Sequence, residues 1–218
     1  MHLISASPER VTASTDLIFG LLSVAMAFTL GRSKRQSDPW KATVWMWMFL
    51  LLAVSSFAGV AIHGLDLTDR TRYLVWQPLD LCVAFVLGLF ITGVVYDLFS
   101  PRVARWLLPY LLTAGFVFAG LIFLYHGTYR AFIPYEAIAF LLALGGYSWL
   151  TYKKTLTGAG LWAGGALITI LAAVVEASGQ DDQPYFWQFD HNGVSHVIEM
   201  VGILLIFAGL WKSLQPDR

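Results

Sequence analysis

Apolar residues come in seven long runs along the chain, at about 14–31, 41–63, 73–96, 104–125, 131–151, 159–178 and 193–213. Short polar breaks carrying charge, proline or glycine separate them, and none leaves room for a second domain. About 20 consecutive apolar residues are enough to cross a bilayer as a helix. In lipid every backbone N–H and C=O has to pair inside its own segment, so each run is expected to be helical. The pattern predicts an all-α, polytopic membrane protein, a single domain over 1–218 built from seven transmembrane helices.

Composition strengthens that expectation. Of 218 residues, 57% are hydrophobic and 13% charged, where a soluble domain carries about 25% charged residues. Mean hydropathy is +0.65. A formal net charge of +0 gives no reason to expect a nucleic-acid or polyanion partner. The single cysteine, Cys82, excludes an internal disulfide and a cysteine-based zinc motif, and inside an apolar run it reads as a small packed hydrophobe.

Basic residues set the expected orientation. Only Arg10 precedes the first run, while Arg32, Lys34 and Arg35 follow it, the reverse of a cleavable signal peptide. Arg32, Lys34, Arg35, Lys41, Arg102, Arg105, Lys153, Lys154, Lys212 and Arg218 fall on one side, and Arg10, Arg70, Arg72 and Arg130 on the other. That excess predicts a non-cytoplasmic N-terminus and a cytoplasmic C-terminus, in a plasma membrane or a prokaryotic inner membrane. Trp40, Trp76, Trp106 and Trp187 sit near run ends, and the tryptophans are read as interfacial anchors.

The polar residues that intrude on the runs cluster on the non-cytoplasmic half. The second run ends at His63, the third carries Asp80, the fifth opens with Glu136 and the sixth ends at Glu176. The stretch Phe186-Trp187-Gln188-Phe189-Asp190-His191-Asn192-Gly193-Val194-Ser195-His196-Val197-Ile198-Glu199 leads into the seventh run with two histidines and two carboxylates. Ionisable groups are costly in a bilayer and mark functional sites. Asp97 is the main exception, at the inner end of the third run. His126 reads as a helix end, and Asp181 and Asp182 as solvated loop charges.

Neutral imidazoles with a carboxylate suit zinc, often three protein ligands with a position kept for water. The candidate ligands are His63, His191, His196 and Asp80, and Asp80 is also a candidate proton acceptor. Ser56 lies seven residues before His63, nearly on the same helix face at about 3.6 residues per turn, and is a candidate for orienting the water. Asn192, Glu199, Glu176 and Glu136 are candidates for lining the same cavity. His191 and His196, five residues apart, point about 140° from each other on a helix. They share a metal only if the helix starts after His191 or bends at Gly193.

A histidine ending helix 2, the Leu79-Asp80-Leu81 segment early in helix 3 and the histidines opening helix 7 resemble the CREST superfamily of membrane hydrolases. That group includes alkaline ceramidases, progestin/adipoQ-type receptors and Per1-like proteins, and this chain resembles a divergent member. The resemblance implies zinc held by histidines, with His63 and His196 at two ligand positions and Asp80 at the aspartate. The family's serine position, four before the helix 2 histidine, is Gly59 here, and the first position of its His-x-x-x-His pair is Asn192. The expected activity is zinc-dependent hydrolysis of a lipid amide or ester, with a membrane lipid as substrate. Two rivals stand beside it. One is a non-catalytic lipid sensor of the same fold, and the other a haem protein with His63 and His196 as axial ligands.

Overall fold

A computed structural model of the protein describes residues 3–4, 7–32, 38–125, 129–179 and 184–215. Lys34, Arg35, His126, Asp181, Asp182 and Arg218 lie outside the described residues. The described part contains seven helices long and apolar enough to cross a membrane: α1 (Ser7–Arg32), α2 (Pro39–Gly64), α3 (Asp69–Leu98), α4 (Pro101–Leu124), α5 (Ile133–Lys153), α6 (Ala159–Ser178) and α7 (His191–Ser213). A 3-10 turn, Tyr129–Phe132, leads into α5.

Local chemistry sets the helix ends. The side chains of Asp38, Thr68 and Ser100 cap α2, α3 and α4 by accepting from the backbone N–H three residues on. Each takes up a donor that the first helical turn leaves without a partner. Pro39 and Pro101 follow two of these caps, where the missing N–H is not needed. Most observed ends fall within a few residues of the apolar runs. The exception is α1, which starts at Ser7 rather than near residue 14. Its first two turns are too polar to register as an apolar run, and they are held by contacts to α2 and α7 instead.

Neighbouring helices pack in sequence, α1 on α2, α2 on α3, α5 on α6 and α6 on α7, with α3 touching α5 and α7 closing back on α1. These six enclose a space, and α4 packs outside them against α3. The crossing of α6 and α7 is close because Gly165 and Gly202 lack side chains. A Cβ on Gly165 would lie 2.7 Å from the Gly202 carbonyl oxygen. Outward faces stay apolar at helical spacing, as with Leu167, Leu171 and Val174 on α6 and Val197, Val201 and Leu204 on α7.

The core contradicts the reading of all nine tryptophans as anchors. Trp45 and Trp162 are fully buried. Their rings lie 4.6 Å apart, and Tyr147 stacks on Trp162 at 4.6 Å. Phe90 meets Trp45 edge-on, in the geometry aromatic quadrupoles favour. The structure also explains the stray Asp97. Its side chain is 4% exposed and pairs with Lys41 at 2.6 Å, while the Tyr147 hydroxyl donates to its other oxygen at 2.8 Å. Lys41 is therefore an internal charge and not one of the flanking ones.

Candidate functional site

The first helix supplies the framework of the site. Glu9, Thr12 and Asp16 recur at i, i+3 and i+7 on α1, and so share one face. Glu9 Oε2 lies 2.7 Å from His63 Nδ1 at the end of α2. Thr12 donates to Asp190 Oδ1 at 2.6 Å, and the same oxygen accepts from Gly193 N–H at 2.7 Å. Asp190 thus caps α7 and ties it to α1, with only 1% of its surface exposed. Thr15 Oγ1 stands 3.1 Å from His196 Nδ1, and Asp16 Oδ1 lies 3.7 Å from the same nitrogen.

The hydrogen bonds fix which imidazole nitrogens carry protons. Thr15 has one hydroxyl hydrogen, and it goes to the Thr12 carbonyl at 2.8 Å. Its oxygen can then only accept, so His196 donates through Nδ1 and its Nε2 is the bare nitrogen of the neutral ring. A Glu9 carboxylate accepts from His63 Nδ1 in the same way. Trp76 meets the His63 ring edge-on, with centroids 6.3 Å apart.

Asp16 occupies the place where a longer residue at 59 would put its side chain. A Cβ on Gly59 would come within 2.6 Å of Asp16 Oδ2. The bare α-carbon of Gly59, one turn before His63, lets the α1 carboxylate approach α2. Asp16 is 5% exposed, and its Oδ2 has no hydrogen-bond partner among the described residues.

These groups border a cavity of about 880 Å³. His63, His191, His196, Asp80, Ser56, Asn192, Glu199, Glu176 and Glu136 all line it, so the structure brings every candidate from the sequence to one space. It does not bring them to one point. Among the described residues no three His, Cys, Asp or Glu side chains are gathered as metal ligands. Helix α7 begins at His191 itself, with Asp190 as its cap, so the condition for His191 and His196 to face one way is not met by a later start. Asp80 makes no hydrogen bond or ion pair to the histidines, and Asp16 and Glu9 take the places beside them. Ser56 donates to the Leu52 carbonyl at 2.9 Å, so it offers the cavity an acceptor rather than a proton.

Two of the histidines do meet one requirement of zinc chemistry, an oxygen acceptor behind Nδ1. A zinc-bound histidine usually donates its second ring nitrogen to a carboxylate or another oxygen, as His63 does to Glu9 and His196 to Thr15. The sequence reading missed Glu9, Thr15 and Asp16 as partners of the histidines, and the Thr12–Asp190 bond that ties α7 to α1. The spacing of Glu9, Thr12 and Asp16 was the available signal.

Fold and site together define an all-helical protein whose described residues form seven helices long and apolar enough to cross a membrane, with a histidine- and carboxylate-lined cavity at one end of the bundle. The chain belongs to the family described as a family of unknown function (DUF6962), which it matches over residues 11–215. No curated protein and no solved structure matches it.

Proposed function

We propose that this protein is a zinc-dependent membrane hydrolase acting on an amide or ester of a lipid. The observation that carries the reading is the pair of imidazoles held through Nδ1 by α1, with both Nε2 atoms left for a ligand. His63 and His196 would hold the metal through Nε2, while His191, turned away from His196 by the start of α7, lines the same cavity without joining them. Zinc bound there supplies Lewis-acid activation of water and of the substrate carbonyl near neutral pH. Glu9 and Thr15 keep the two rings in the required tautomer and orientation. Asp16, whose Oδ2 has no hydrogen-bond partner among the described residues, would be the carboxylate available to accept a proton from water. Apolar side chains such as Phe49, Leu52, Phe90 and Phe140 line the rest of the cavity and accept an acyl chain. The site faces the non-cytoplasmic side, a placing supported by Arg32, Arg102, Arg105, Lys153, Lys154 and Lys212 at the other end of the helices.

A non-catalytic lipid sensor is the second reading. It is supported by the spread of the candidate ligands, since among the described residues no three His, Cys, Asp or Glu side chains are gathered at one point. Metal content of detergent-purified protein decides between the two. The hydrolase predicts about one zinc per chain, lost in both His63→Ala and His196→Ala. A metal-free wild type after zinc is supplied, still binding lipid, would overturn the hydrolase in favour of the sensor.

A further inference from the structure

The polar wall of the cavity is acidic. Glu9 and Asp16 of α1, Asp80 of α3, Glu136 of α5, Glu176 of α6 and Glu199 of α7 all face it. The single lysine or arginine among the lining residues is Arg72, whose guanidinium donates to the Ile62 carbonyl at 2.8 Å. Glu9 and Asp16 have histidine partners. Asp80 has none. It is 4% exposed, and among the described residues it makes neither a hydrogen bond nor an ion pair. It also sits among apolar side chains of its own helix, with Leu79 before it and Val83 and Leu87 one and two turns on.

A carboxylate taken out of water without a partner is strongly unfavourable, and a cation brought to it recovers what desolvation costs. A cavity walled by one sign of charge in a low dielectric concentrates ions of the other sign. We propose that the occupant of this cavity is a single-chain amphiphile with an ammonium head. Its nitrogen pairs with Asp80, and its chain lies along Phe49, Leu52, Phe90, Phe140 and Ile206. The volume, about 880 Å³, lies within the range of roughly 300–1,000 Å³ usual for sites that enclose one small ligand. The inference rests on the cavity being the substrate site of the proposed hydrolase, and it narrows the substrate to a lipid amide or ester that also carries an ammonium.

Binding tests it without turnover. The full chain, in a non-ionic detergent and stripped of metal with EDTA, is titrated with hexadecylammonium, hexadecanol and hexadecyl sulfate. The ammonium should bind about tenfold or more tightly than the alcohol, a difference on the scale of one ion pair, and the sulfate most weakly. Asp80→Asn should abolish the preference while leaving alcohol affinity unchanged, which also shows the variant is folded. Carbodiimide labelling of the wild type needs no variant: the ammonium, and not the alcohol, should protect Asp80. Equal affinity for ammonium and alcohol, a preference that survives Asp80→Asn, or absence of protection would each overturn the proposal. Because metal plays no part here, zinc binding with no charge preference would sink this inference alone. A charge preference in a chain that never binds zinc would sink the hydrolase alone.

Discussion

Thr15 acts on His196 through a single atom. Its hydroxyl hydrogen is engaged by the Thr12 carbonyl, so the oxygen can only receive the Nδ1 proton. Valine at this position keeps the shape and removes the acceptor, leaving His196 free to place its proton on Nε2 and thereby lose the lone pair that a metal needs. Outer hydrogen-bond partners of metal-binding histidines are typically worth about 10–100-fold in metal affinity. On the proposed zinc site, Thr15→Val is therefore expected to weaken zinc binding by about that factor, and Glu9→Gln by less, because an amide oxygen still accepts from His63. Competition with a chromophoric chelator measures both. Unchanged affinity in Thr15→Val would show that the threonine does not set the tautomer.

At the scale of elements, the ends of α1 and α7 show what the sequence made legible. Apolar runs marked seven helices because lipid demands long uninterrupted segments, and they also brought His63, Asp80 and His196 to one end of the bundle by simple alternation of direction. They could not show the first two turns of α1, where Glu9, Arg10 and Thr12 break the run. Those turns are held by partners far away in the chain, Glu9 with His63 and Thr12 with Asp190. No local pattern encodes such a pairing. The fully buried Trp45 was hidden for a related reason, since periodicity cannot distinguish lipid-facing from core positions in a helix apolar all round. Asp190 is the joint between the two helix ends. Asp190→Ala removes the α7 cap and leaves the buried Thr12 hydroxyl without its acceptor, a loss of roughly 1–3 kcal/mol. Asp190→Asn keeps a carbonyl oxygen for both donors and should fall between alanine and wild type. Equilibrium unfolding in mixed micelles gives the order, and an alanine variant as stable as wild type would remove Asp190 from this role.

Over the whole molecule, the two ends of the bundle solve different problems. The histidine end keeps polar groups facing a cavity, whereas the opposite end closes its polar groups on one another. There Lys41 of α2 reaches Asp97 of α3 at 2.6 Å and Ser213 of α7 at 3.0 Å, and Tyr147 of α5 donates to Asp97 at 2.8 Å. Four helices thus meet at one ion pair whose two side chains are each 4% exposed. Removing one partner strands the other charge, which for buried pairs costs roughly 3–5 kcal/mol. Lys41→Met is expected to lose about that much stability, and Asp97→Asn a comparable amount, since Lys41 and Tyr147 donate to different Asp97 oxygens, the amide nitrogen cannot accept, and the lysine charge is left unpaired. Replacing both, as Lys41→Met with Asp97→Leu, should cost well below the sum of the single changes, because no unpaired charge remains. Denaturant unfolding of wild type, Lys41→Met, Asp97→Leu and the double variant closes the cycle. If the ends are independent, zinc content per folded chain will be the same in all four, whereas a loss of zinc alongside stability would mean that this network also holds the histidine helices in register.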